Sequence, residues 1–327
     1  MYFLQSKMIK RYFLLIVLVS TVGSKIHAQL FDRVKDGIPI VQYVNHLGAM
    51  QNRPLQDIID SFRSQKYDEI KMSYAIYAWV AKHIRFDCKG YHHPKTANNT
   101  TTATLQNRTA TSEGYANLFK TLCDVANIEC YRVKGFVKQY PRDLVKFKDN
   151  NYHYWNVLVI RNMFLYIDVT LAAGETDEHK RTFFPDYSDA WFLTNKDIFQ
   201  LSHFTKDPNN PIPSDLLPTK QEFLKAPVVY KSAIILDMVA AVTVKGNLKG
   251  IFNKTKALDF EWRNPEMILN SIVVVEKGEE IALPVERHEI YLSIEIPFKY
   301  TGEYPVFLKA NGANVYCFMA NVPKSHK

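Results

Sequence analysis

At Cys130 the chain changes its period, and that change fixes the fold class of its first half. Over Ser112–Ala126, Tyr115, Leu118, Phe119, Leu122 and Val125 recur on one side of a 3.6-residue repeat. Asn127 ends that run. Tyr131, Val133 and Phe136 then favour extended backbone over 130–137. Residues 155–160 and 163–169 read as two further strands joined by a tight Arg161-Asn162 turn. Helices followed by an antiparallel hairpin give an α+β layout. Upstream, 56–62 reads as a short helix and 66–83 as a stronger one, ending in an extended 84–87. The polar stretch 89–108 lacks periodicity and reads as a loop. So does the charged stretch 138–151, and 30–47 has no clear assignment.

Three residues in that frame carry chemistry. Ser112 heads the helix, His153 stands in His153-Tyr154-Trp155-Asn156, and Asp168 stands in Ile167-Asp168-Val169-Thr170. A nucleophile in the first turn of a helix feels the positive end of the macrodipole. An imidazole takes its proton, an acid fixes the imidazole tautomer, and backbone N–H groups at the helix start can hold an oxyanion. His153 and Asp168 are expected on neighbouring strands of the hairpin, sharing a face. Singly, each residue has a plainer reading. His153 and Asp168 would satisfy each other in a core, Trp155 and Thr170 would pack the sheet, and Glu113 and Gly114 suit any helix start. Their joint order carries the functional reading.

With those segments in view, the chain resembles the transglutaminase-like superfamily, and within it the kyphoscoliosis-peptidase-like branch. Glu113-Gly114-Tyr115-Ala116, His153-x-Trp155-Asn156 and Asp168-x-Thr170 match that family's ordered motifs, and Phe86-Asp87 matches its aromatic-Asp. Trp191-Phe192-Leu193, Phe199, Ser202-His203-Phe204 and Leu216-Leu217-Pro218 resemble the segment that follows the triad there. The resemblance implies a papain/transglutaminase-like core domain over 29–215 and an immunoglobulin-like β-sandwich over 216–327. It implies Ser112, His153 and Asp168 as the catalytic set and Glu113, Gly114, Tyr115 and Trp155 as substrate-binding. No metal or organic cofactor is implied.

The departure is at Ser112, where the family carries a cysteine. A hydroxyl is not ionised at neutral pH, so no resting thiolate–imidazolium pair forms, and the base must act during attack. Three readings follow. The chain is a degenerate enzyme binding a polypeptide or cell-envelope component in its cleft, or an active hydrolase or acyltransferase using Ser112, or an enzyme silenced by an introduced serine. Among other candidates, Cys123 lies about three turns along the helix, too far to share the pocket. Cys88 lies near the motif. His92 and His93 are adjacent and would point to opposite faces of a strand, and His83 reads as structural.

The remaining sequence sets the surroundings. Beyond 230, short apolar or alternating runs at 233–236, 239–244, 272–276, 281–285, 290–296, 304–310 and 315–320 suggest the strands of the sandwich. Lys7, Lys10 and Arg11 precede an apolar run over 12–22 too short to span a bilayer, and cleavage near Ala28 fits a secretory signal. The product would be secreted or periplasmic, with no integral span. Residues 1–28 hold four basic and no acidic residues, so the net charge of +8 falls to +4 without them. No Lys/Arg stripe points to nucleic acid. Cys88, Cys123, Cys130 and Cys317 leave one disulfide open, with Cys123 and Cys130 reading as buried small hydrophobes. Sequons stand at Asn98, Asn99 and Asn107.

Overall fold

The computed structural model describes residues 32–50, 53–146, 152–264, 267–284, 286–288 and 290–324. The expected signal segment, 1–28, lies outside the described residues. Among them, no helix is long and apolar enough to cross a membrane.

The first half is a helical layer packed on a sheet. Its central helix is Glu69–His83, started by Asp68, whose side chain accepts the Lys71 N–H. That cap explains why the helix begins later than its apolar rhythm at 66. Every residue from Ile70 to Ala81 except Lys71 is buried. Against it lies Ser112–Ala126, tied by the Tyr115 hydroxyl donating to the Ile84 carbonyl at 2.6 Å. Ile38–Leu47 and Leu55–Arg63 complete the layer.

The sheet runs in the order Met163–Ile167, His153–Ile160, Cys130–Val137, His203–Phe204, with every pairing antiparallel. Arg161 and Asn162 take φ of 52° and 60°. Positive φ at both central residues is the primed two-residue turn whose twist suits a hairpin. Gly135 faces His153 across the sheet. A Cβ there would stand 2.3 Å from both the Phe204 carbonyl oxygen and the Trp155 ring. The missing side chain lets the indole and the edge strand close beneath the site.

Several expectations need correction. Residues 89–108 are not a plain loop: Cys88–His92 and Thr101–Asn107 are short helices, capped by Asp87 and Thr100. Helices of one or two turns are too short to show a period. The charged stretch contains the single turn Arg142–Val145, while 147–151 lie outside the described residues. The second hairpin strand stops at Ile167, because Asp168 accepts the Leu171 N–H and starts the helix Val169–Ala173. Asp168 is therefore a helix cap and not a strand residue. Residues 231–235 are helical, not extended.

Two further sheets follow, in the orders Met238–Ala240, Thr255–Trp262, Tyr291–Pro297, Glu286–His288 and Asn247–Lys249, Ala313–Val322, Gly302–Ala310, Ile272–Glu276, Glu279–Leu283. Leu258, Phe260, Ile294 and Ile296 of the first share one core with Val274, Val306, Leu308 and Phe318 of the second. The Phe260 and Tyr316 rings meet across the gap at 5.2 Å. The protein is thus α+β followed by an immunoglobulin-like β-sandwich. All four cysteines are free thiols, with Cys123, Cys130 and Cys317 buried.

Lys138, only 1% exposed, joins the two halves. Its Nζ donates to the Phe223 carbonyl at 2.5 Å and to that of Ala226, and lies 4.8 Å from the Phe223 ring. Burial pushes this ammonium down to about 7, with Asp143 pulling it partly back. In the unfolded chain the proton stays on to about pH 10.4. Between these values the unfolded state binds more protons, so this residue makes stability rise with pH. In Lys138→Met, the gain in urea midpoint from neutral to alkaline pH is expected to be smaller than in the wild type. Parallel pH curves for the two proteins would remove Lys138 as its source. Gly135→Ala is expected to cost about 1–3 kcal/mol through overpacking against backbone and indole. An unchanged urea midpoint would show that the strands spread freely.

Candidate active site

Ser112 is placed by its neighbours. Thr111, the helix N-cap, is extended, and its N–H and hydroxyl both donate to Asn99 Oδ1, at 3.2 and 2.9 Å. Asn117 Nδ2 donates to the Asn99 carbonyl at 2.8 Å. Asn99 thereby fastens the polar stretch to the head of the helix. The sequence marked it only as a sequon. Ser112 is 6% exposed, and its Oγ accepts the Tyr154 N–H at 3.3 Å.

His153 opens its strand and is 5% exposed. Its Nε2 lies 2.5 Å from Asp168 Oδ2. That contact leaves Nδ1 as the ring nitrogen without a protein partner among the described residues. Asp168 is fully buried. Oδ1 takes the Leu171 N–H at 2.9 Å, and Oδ2 also meets His203 Nε2 at 3.1 Å. Burial pushes the Asp168 carboxyl up, but His153 and His203 together outweigh it and hold it well below the usual carboxylate range.

His203, read from sequence only as part of Ser202-His203-Phe204, proves to be a member of the site. It lies flat on Phe199, rings 3.7 Å apart at 10°, and its Nδ1 is 2.8 Å from Ser202 Oγ. Burial pushes its imidazole below the ordinary value, against the pull of Asp168. The ring's Nδ1 also lies 3.3 Å from the Phe199 carbonyl and its Nε2 faces the carboxylate, so both ring nitrogens meet acceptors. The sequence motif marks His203, but only its meeting with Asp168 in space gives it a place at the site.

His153, Asp168 and His203 also form a group whose ligand-type atoms all lie within 4.8 Å of one another. The geometry favours protons over an ion. A metal about 2 Å from each ligand sets those ligands more than about 3 Å apart, whereas His153 Nε2 and Asp168 Oδ2 are at 2.5 Å.

Ser112 and His153 line one cavity of about 710 Å³. The structure brings Ser112, His153 and Asp168 together, but no hydrogen bond joins Ser112 Oγ to the His153 ring among the described residues. The residues expected to bind substrate pack elsewhere and are not among those lining the cavity. Gly114 lies against the preceding strand and helix, where a Cβ would stand 2.6 Å from Ala110 Cβ. Tyr115 is buried, and Glu113 pairs with Arg132 at 3.2 Å. Trp155 is buried beside the His153 and His203 rings. Other nucleophiles are poorly placed. Cys123 is fully buried, which pushes its thiol well up, and Cys88, outside the lining, is also raised by burial. His83 binds the Trp79 carbonyl at 2.8 Å, as a structural residue would. His92 reaches the cavity wall, its Nε2 3.1 Å from the His179 carbonyl.

Residues 56–169 match the family model of the transglutaminase-like superfamily, spanning the helix of Ser112, the strand of His153 and Asp168. Kyphoscoliosis peptidase of Mus musculus is 21% identical over 258 residues, 79% of this chain and 38% of that protein. Kyphoscoliosis peptidase of Homo sapiens is 24% identical over 156 residues, 47% of this chain and 24% of that protein. The chain thus spans well under half the length of these relatives. A crystal structure of a TGase aligns with 46% of this chain and 41% of its own at 16% identity, with a TM-score of 0.28. By the family match, residues 56–169 form a transglutaminase-like segment, and the chain is similar to kyphoscoliosis peptidases.

Proposed function

We propose that this protein is an exported, catalytically degenerate transglutaminase-like protein that holds a polypeptide or cell-envelope ligand in the cleft above Ser112 and His153. The observation that carries this is the state of Ser112. Its Oγ receives a hydrogen bond from Tyr154 N–H and makes none with His153. A lone pair engaged by a backbone donor is a poorer nucleophile, and a hydroxyl needs an adjacent base to attack at all. Loss of one member of a catalytic unit typically removes orders of magnitude of rate. The basic and apolar opening of the sequence supports export. In this reading 29–215 form the cleft-bearing domain, and the sandwich from 216 supplies a second contact surface.

A second reading rests on a separate observation: Ser112 and His153 share one cavity, and Asp168 anchors the imidazole from behind. An active site would then use His153 Nδ1 to take the Ser112 proton as Oγ adds to an amide carbonyl. The same nitrogen would return that proton to the leaving amine, and water or a second amine would release the acyl group. The relatives named as peptidases support amide bonds as the target class.

Labelling separates the two. Wild-type protein treated with a fluorophosphonate or an iodoacetamide probe is expected to carry no adduct at residue 112 by peptide mass mapping. Ser112→Cys is expected to gain an iodoacetamide adduct there, slowed on the order of ten-fold or more when His153→Ala removes the group that favours the thiolate. A fluorophosphonate adduct on wild-type Ser112 would install the second reading. An inert Ser112→Cys would mean that the pocket lacks more than its nucleophile.

A further inference from the structure

The rim of the cavity has a sign. Cations reach it from two adjoining elements, whose side chains touch one another. Arg142 and Lys146 come from the turn Arg142–Val145 and the residue after it, while Lys180 and Arg181 come from the tip of the hairpin joining Gly174–Thr176 to Phe183–Pro185. None of the four makes an ion pair among the described residues. Arg142 Nη1 meets His179 Nδ1 at 3.4 Å, and Lys180 Nζ donates to Gln139 Oε1 at 2.7 Å.

Two of the nearby carboxylates are engaged by backbone N–H groups, while Glu178 on the same hairpin tip is exposed. Asp143, the acidic residue in the lining, has Oδ2 accepting the N–H groups of Gln139 and Tyr140, at 2.9 and 3.0 Å. Asp177, at the foot of the hairpin, takes the N–H groups of His179, Arg181 and Thr182, which fixes the tip against the cleft. Asp168 lies beneath His153 with its oxygens bonded.

The walls between the cations are aromatic. Lys180 Nζ lies 4.8 Å from the Tyr91 ring and 5.9 Å from the rings of Phe86 and Tyr140. Rings that close in on an ammonium hold it by their quadrupole and displace its water, and burial accordingly pushes Lys180 down to about 8. An incoming carboxylate favours the charged ammonium and so gains from that desolvation.

We propose that the cleft selects acidic polypeptide, taking the chain past Ser112 and His153 with Asp or Glu side chains directed to the patch that Arg142 and Lys146 form with Lys180 and Arg181. This rests on the reading of the cleft as a polypeptide site. The aromatic side chains on the walls (Phe86, Tyr91, Tyr140) and the similarity to proteins named as peptidases favour a peptide over a polyanionic glycan. Rim pairs act mainly on selection and association rate and weaken as salt screens them.

Fluorescence anisotropy with three peptides of equal length tests it: one rich in Glu and Asp, its Gln/Asn counterpart, and a Lys-rich one. The acidic peptide is expected to bind the wild-type full chain at least about five-fold tighter than the neutral one, from a few rim pairs of modest strength. The preference is expected to shrink at high salt. In the double variant Arg142→Glu, Arg181→Glu it is expected to vanish or invert, while melting and circular dichroism stay those of wild type. If the double variant misfolds, the salt titration of wild type still decides. Equal binding of acidic and neutral peptides would overturn the charge selection while leaving a peptide cleft. If no peptide binds but a polyanionic glycan does, both this proposal and the polypeptide reading fall.

Discussion

The Asp168 carboxylate is the knot of the first domain. It is a fully buried charge, and an isolated one would be costly in such surroundings. What sustains it is the set of donors converging on its oxygens: the Leu171 N–H, His153 and His203. These come from three separate pieces of chain, namely the short helix after the hairpin, the first residue of the central strand, and the edge strand after Lys196–Ser202. Meeting the needs of one charge therefore fixes all three relative to one another. The Trp155 indole and the bare Gly135 fill the space beneath. The cleft is what remains above His153 once that packing is complete.

The sandwich takes part in the same arrangement. Lys196–Ser202, which leads into His203, carries Asp197 in its first turn, and Asp197 pairs at 2.8 Å with Arg263 of the second half. Arg263 is also held by Glu261 at 2.7 Å. Lys231 pairs with Glu175 at 3.0 Å and with Asp186, on either side of the rim hairpin. Lys138 is bonded to the carbonyls around Lys220–Lys225. Contacts that stabilise the junction thus sit one element away from the site and from the cationic rim. The second half supports the cleft walls whether or not it touches a ligand itself.

How much of this was legible in the sequence follows from the physics of each part. Ser112–Ala126 and Cys130–Val137 could be read to the residue, because a long amphipathic period and a β-rich run are local signals. The hairpin was legible through Arg161-Asn162. The strand Thr255–Trp262 was missed although Leu258, Phe260 and Trp262 alternate with polar residues. There the signal existed and went unread. The short helices at Cys88–His92 and Thr101–Asn107 carry no period, and what makes them is capping by Asp87 and Thr100. The grip of Asn99 on the head of the helix, the place of His203 behind Asp168, and the gathering of Arg142 with Lys180 depend on tertiary meeting, which no spacing encodes.

That knot also governs what His153 and Asp168 say about activity. Removing either ring would leave the buried Asp168 carboxylate short of a hydrogen bond, at a cost of about 1–3 kcal/mol or more. His153 and His203 are thus required for the fold to keep Asp168, and Asp168 is required to cap Val169–Ala173 and orient His153. These contacts give them a structural role that does not depend on chemistry at the cleft. Ser112 stands outside that economy: among the described residues its Oγ bears no part of the buried charge and accepts the Tyr154 N–H. A thiol and a hydroxyl could exchange there with little effect on the knot. In the reading proposed above, the side chain at 112 and not its neighbours therefore separates a binding cleft from an active one.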